Sequence, residues 1–98
     1  MAQKVYELIQ YTHKEAFWQL SDKERQSLLE RLRRLRTEAG GQLVVHIRTW
    51  SSDCNGAHVY VYADMDAYHR YASGIGPEGL NARRYWDYTV TLGYERPK

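Results

Sequence analysis

Hydrophobic and polar positions follow two different periods along this 98-residue chain. From Val5 to His13 (Val-Tyr-Glu-Leu-Ile-Gln-Tyr-Thr-His) β-formers dominate, and the segment reads as a first strand. Lys14 to Leu20, with Phe17 and Trp18, reads as a turn or a short helical lead-in. Ser21 and Glu24 then have the spacing of a capping box, in which each satisfies a backbone N–H at the start of a helix. Leu28, Leu32 and Leu35, with Leu29 beside them, recur at helical spacing. Together these predict a helix over about residues 22–38, stopped by Gly40-Gly41. Gln42 to Trp50 reads as a second strand and Ala57 to Tyr62 as a third, with the turn signal Asn55-Gly56 in the loop between them. Asp64 caps a second helix carrying Met65, Tyr68 and Ala72 on one face and ending at Gly74. Breakers fill residues 74–79. Leu80 to Tyr85 has room for one more helical turn, and Trp86 to Tyr94 reads as the last strand.

The order is β-α-β-β-α-β. With right-handed crossovers it predicts a ferredoxin-like α+β unit, a four-stranded antiparallel sheet with both helices on one face. The length suits one domain over residues 1–98. Alternation along the strands sorts side chains into two sets. Leu43, Val45, Ile47, Val59, Val61, Val90 and Leu92 form an aliphatic set, expected beneath the helices. His46, Arg48, Trp50, His58, Tyr60, Tyr62, Thr89 and Thr91 form a polar-aromatic set, expected on the opposite face. The first strand is undecided, because the adjacent Leu8 and Ile9 both call for burial.

Composition sharpens that picture in one respect: there are nine Tyr and three Trp against one Phe. Tyr and Trp combine an apolar body with a polar tip and favour half-wet places such as interfaces and ligand pockets. A bare face of this kind would be an interaction patch. It predicts a homodimer through the sheet face, which either encloses a pocket for a small aromatic molecule or serves as an interface alone.

Charge and cysteine content exclude more than they suggest. A net charge of +2 implies no polyanionic partner. The arginines of Arg31-Leu-Arg-Arg-Leu-Arg36 read as the solvated back of the first helix, so no nucleic acid is expected. No run approaches the roughly 20 apolar residues of a membrane span, and no apolar leader follows Met1, so no membrane partner and a cytoplasmic location are expected. Cys54 is alone, which excludes an internal disulfide and a multi-cysteine zinc site. Gly74-x-Gly76-x-x-Gly79 follows a helix instead of joining strand to helix, and so is no dinucleotide fingerprint.

The candidate chemistry gathers on the polar-aromatic set. His46 and His58 sit on adjacent strands with matching orientation, as a proton acceptor and its orienting partner or as two structural histidines. Arg48 on an inward face requires an anion: a substrate carboxylate or phenolate, or an ion pair with Asp87 or Glu7. Asp87 is either Arg48's partner or a second acid/base. Trp50, Tyr60, Tyr62 and Trp86 would stack on a flat ring, and His13 ends a strand near the expected pocket mouth. No close-spaced ligand motif supports a metal.

The βαββαβ pattern with its polar-aromatic face resembles the dimeric α+β barrel superfamily, which includes antibiotic-biosynthesis monooxygenases, polyketide cyclases, haem-degrading monooxygenases and muconolactone isomerases. Phe17-Trp-Gln-Leu-Ser-Asp-Lys-Glu-Arg25, with Arg84-Tyr-Trp-Asp-Tyr88, resembles the darcynin-like families of unknown function. Val61-Tyr-Ala-Asp-Met-Asp-Ala-Tyr-His-Arg-Tyr71 is similar to the strand-to-helix step of the monooxygenases, where a strand aromatic (here Tyr62) and a helical His (here His69) line the pocket. The haem-degrading members carry an Asn on the first strand; here Gln10 is the nearest amide, which counts against haem degradation. The resemblance implies a small dimeric enzyme acting without cofactor on an aromatic or polyketide-like molecule, as a monooxygenase, cyclase or isomerase. Its alternatives are a non-catalytic binding or assembly module and a haem-binding protein using His69.

Overall fold

A computed structural model describes residues 3–48 and 55–95. Strand β1 (Val5–His13) leads through a single helical turn, α1 (Glu15–Trp18), into the long helix α2 (Asp22–Glu38). Strands β2 (Gln42–Arg48) and β3 (Gly56–Tyr62) follow, then helix α3 (Met65–Gly74), a 3-10 turn (Ala82–Arg84) and strand β4 (Trp86–Tyr94). All pairings are antiparallel, in the order β2-β3-β1-β4. This is the ferredoxin-like α+β fold that the sequence predicts. Trp50, with Thr49 and Cys54, lies outside the described residues. Among the described residues, no helix is long and apolar enough to cross a membrane.

Local chemistry explains the helix limits. The Ser21 hydroxyl accepts the Glu24 N–H at 3.1 Å while the Glu24 carboxylate accepts the Ser21 N–H at 2.9 Å. The box satisfies two otherwise orphaned donors, and such a cap contributes about 1 kcal/mol. Gly40 leaves α2 with φ at +80°, a left-handed conformation that costs glycine little. Gly41 is needed for space: a Cβ there would stand 2.7 Å from the Tyr62 ring and 2.8 Å from the Arg36 side chain. At α3, the Asp64 carboxylate accepts the Ala67 N–H at 2.8 Å.

The expected assignment of sheet faces is corrected on two strands. On β3 it is His58, Tyr60 and Tyr62 that face the helices, beside Ile9, Glu7 and Val5 of β1. Val59 and Val61 point away from them. On β2 a bulge at Val44 resets the alternation, so Leu43 pairs with Tyr60 whereas Val45 and Ile47 pair with Val59 and Ala57. The aliphatic Val45 and Ile47 therefore lie on the outer face, with Leu8 and Val59, and both are exposed. Only β4 follows the expectation, turning Trp86, Tyr88 and Val90 inward. Aromatic rings bury as much apolar area as aliphatic side chains, so a Tyr-rich face serves as a core once its hydroxyls and charges have partners.

Those partners form a buried network. Arg36 of α2 and Glu7 of β1 are both buried. Arg36 Nη2 donates to Glu7 Oε1 at 3.3 Å, Arg36 Nε donates to the Tyr62 hydroxyl at 3.1 Å, and that hydroxyl donates to the same Glu7 oxygen at 3.0 Å. The guanidinium lies between the rings of Tyr60, at 3.6 Å, and Tyr71, at 4.2 Å. Arg36 thus departs from the expected solvated back of α2, where Arg31 and Arg34 do stand exposed.

Candidate functional site

Between α2 and the sheet lies a cavity of about 450 Å³. Its floor comes from the sheet: Ile9, Tyr11 and His13 of β1, His58 and Tyr60 of β3, and Trp86 and Tyr88 of β4. Its roof is one stripe of α2, Leu29, Leu32, Arg33, Arg36 and Thr37, at the i, i+3, i+4, i+7, i+8 spacing of a single helix face. Tyr71, Ile75 and Ala82 close the inner end. The lining residues that are exposed are Leu29, Arg33, Thr37 and Leu43, so the mouth opens between α2 and the β2 edge. Several side chains expected to line a pocket between two facing sheets, His58, Tyr60 and Trp86 among them, line this cavity within one chain instead.

His58 is one of two histidines in the floor. Its Nδ1 lies 2.9 Å from the Tyr60 hydroxyl, while its Nε2 is buried with no hydrogen-bond partner among the described residues. Burial first, then the nearby His46 and Arg36, lowers the imidazole to about 4. His46 stands against it with ring centroids 4.1 Å apart. The ring is therefore neutral at physiological pH. An unfolded His58 regains a value near 6.5, so as pH falls the unfolded chain takes up a proton that the folded chain refuses. This contribution to stability is whole above about pH 6.5 and is lost progressively toward about pH 4. Urea unfolding across that window is expected to show a smaller acid loss in His58→Asn than in the wild type. Equal losses would mean that the imidazole does not carry the effect.

At the other end of the floor, His13 sits among rings, 4.4 Å from Phe17, 5.0 Å from Trp18 and 5.6 Å from Tyr11 between centroids. Its backbone N–H donates to Asn55 Oδ1 at 2.7 Å, and the Asn55 N–H donates to the Tyr11 carbonyl at 2.7 Å, which ties the β3 approach to the end of β1. Burial lowers the His13 imidazole, partly offset by Asn55.

Of the residues singled out from the sequence, His13, His58, Tyr60 and Trp86 line the cavity. Tyr62 lies behind its wall in the Arg36–Glu7 network, and His46 reaches it only through His58. Four others lie elsewhere. Arg48 and Asp87 occupy the two opposite edge strands, separated by three strand spacings or roughly 14 Å, and so form no pair. Glu7, the other partner considered for Arg48, is held by Arg36. Gln10 points to the outer face, opposite Ala57 and Thr89. His69 is exposed on α3 and does not line the cavity. Among the described residues no cluster of three His, Cys, Asp or Glu could hold a metal ion.

Sequence reasoning missed Tyr11, Arg33, Arg36, Tyr71 and Tyr88, which also line the cavity. A signal existed for Arg36, which stands eight residues after Leu28 on the apolar stripe. Glu7 carried another, sharing its strand face with Val5 and Ile9.

No family model matches the chain, and no curated protein matches it. Solved structures do. A mutant of SnoaB, a cofactor-independent oxygenase from Streptomyces nogalater, superposes with a TM-score of 0.63 at 21% identity, over 99% of this chain and 97% of that one. A second SnoaB structure gives 0.55 at 19% identity with the same coverage. A chlorite dismutase from Candidatus Nitrospira defluvii gives 0.72 at 11% identity over 99% of this chain, which spans 42% of that one. A putative chlorite dismutase gives 0.71 at 13% identity, over 96% of this chain and 44% of that one. The likeness is one of fold: the ferredoxin-like α+β arrangement of a four-stranded antiparallel sheet with its helices. Fold alone does not assign chemistry.

Proposed function

We propose that this chain is a small enzyme that acts without a cofactor on an aromatic or polyketide-like molecule, by oxygenation, cyclisation or isomerisation. The observation that carries this reading is the cavity itself: a concave site inside one chain, walled by aromatic side chains, with a neutral imidazole in its floor. Flat rings stack on Tyr11, Tyr60, Trp86 and Tyr88, and the histidine receives a proton from an acidic hydroxyl of the substrate. In the tautomer with the proton on the buried Nε2, the Tyr60 hydroxyl donates to Nδ1 and relays the transfer, giving its proton to the imidazole as it takes the one from the substrate. The fold shared with a cofactor-independent oxygenase adds support. Association is part of the proposal: a second copy covers the outer sheet face and its aliphatic Leu8, Val45 and Ile47.

The test is incubation with a panel of hydroxylated polycyclic aromatics, without added metal, flavin or haem, followed by oxygen uptake and product mass. The wild type is expected to turn over at least one member, and His58→Ala to lose about 10²–10⁴-fold in rate, the span of a positioned proton-transfer group. Tight binding without turnover would overturn the enzymatic reading in favour of a non-catalytic binding module. Full turnover in His58→Ala would remove the histidine from its role.

A further inference from the structure

The cavity has one charge that nothing among the described residues balances. Arg36 is neutralised by Glu7 behind the wall. His58 and His13 are both held below their ordinary values, so neither adds a charge at neutral pH. Among the described residues no Asp or Glu lines the cavity. Arg33 remains, one helical turn before Arg36 on the same face of α2, exposed at the mouth and without an ion pair or hydrogen bond among the described residues. A lone guanidinium at the rim of an aromatic-walled cleft focuses the field toward the opening, where the apolar walls screen it poorly. Its planar fork matches a carboxylate or another planar oxyanion, whereas a neutral ligand would leave it unanswered.

We infer that the ligand of this cavity is a monoanionic aromatic compound, its rings inside against the tyrosines and its acidic group at the mouth on Arg33. The inference rests on the cavity being the ligand site, and it makes Arg33 the residue that selects for charge. The anion-holding role considered for Arg48 thereby passes to a helix residue on the rim of the same cavity that holds the rings.

Calorimetric titration with 1-naphthoate and with its uncharged methyl ester tests this. The wild type is expected to bind the acid at least about tenfold tighter than the ester, with the difference shrinking as salt is raised. Arg33→Met, which keeps an apolar stem over the cavity, is expected to bring the two affinities together by weakening the acid alone. Arg33→Lys should restore part of the preference. Arg34→Met, on the exposed face and off the cavity lining, should leave it unchanged. Equal binding of acid and ester by the wild type would overturn the inference while leaving the aromatic site standing. A loss in Arg34→Met equal to that in Arg33→Met would also overturn it, by assigning the preference to the general charge of α2. If neither probe binds, the inference falls together with the reading of the cavity as a ligand site.

Discussion

Replacing Arg36 with Met is expected to cost the chain about 3–5 kcal/mol of folding stability, the range for breaking a buried ion pair by removing one partner. The loss comes from what stays behind. Glu7 is almost wholly buried, and its Oε1 accepts from both Arg36 and Tyr62 while its Oε2 has no hydrogen-bond partner among the described residues. Without the guanidinium, a carboxylate stands in the interior with one hydroxyl for company, and Tyr60 and Tyr71 lose the cation between their rings. A domain of this size has only about 5–15 kcal/mol in hand, so the single variant is expected to lose a large share of its stability. The double variant Arg36→Met with Glu7→Leu separates this explanation from a simple packing defect. Replacing both partners by apolar side chains of similar volume is often neutral or stabilising, so the pair should recover most of the loss. Urea unfolding of the three proteins is the measurement. A double variant as unstable as the single one would show that packing, and not the stranded charge, sets the cost.

The second large effect concerns association. Strand β2 is an edge strand whose Leu43, Val44, Val45 and Ile47 are all exposed, from 41% at Val45 to 55% at Val44. Edge strands of soluble proteins are normally blunted by charges or Pro, and four aliphatic residues do the opposite. On the proposal that a second copy covers this surface, Ile47→Lys is expected to convert the protein from dimer to monomer, since a desolvated ammonium would face apolar partners across the interface. Ile47 makes no part of the cavity lining, so the variant should keep its fold and its ligand affinity. Sedimentation velocity reads the outcome directly. A wild type that sediments as a monomer, or a variant that stays dimeric, would remove the outer face as the dimer contact.

These two faces of one sheet show what was legible in the chain and what was not. Local signals were strong: the capping box of Ser21 and Glu24, the Asp64 cap, the glycines after α2 and the β-rich runs place nearly every element within a residue or two. Alternation sorted the side chains correctly on β3 and β4. It could not say which set faces the helices, because a period of two is unchanged by turning the strand over. The rule that aliphatic residues seek the core pointed the wrong way for β3, where tyrosines bury their rings and give their hydroxyls and charges to the Arg36–Glu7 network. The bulge at Val44 carries no sequence signature such as glycine, yet it moves Val45 and Ile47 to the opposite side.

By itself, then, the sequence of this protein determined its elements, their order and hence the ferredoxin-like topology, since caps, breakers and periodicity act within a few residues of one another. It also supplied His58, Tyr60, Trp86 and His13 as chemistry-bearing side chains. The tertiary structure alone decided that these four meet under α2, that Arg36 is a buried partner of Glu7 while Arg33 stands at the mouth without a partner among the described residues, and that Arg48, Asp87 and His69 lie elsewhere. The physical reason is distance along the chain: Glu7 and Arg36 are 29 residues apart, and only packing of α2 over β1 brings such groups together.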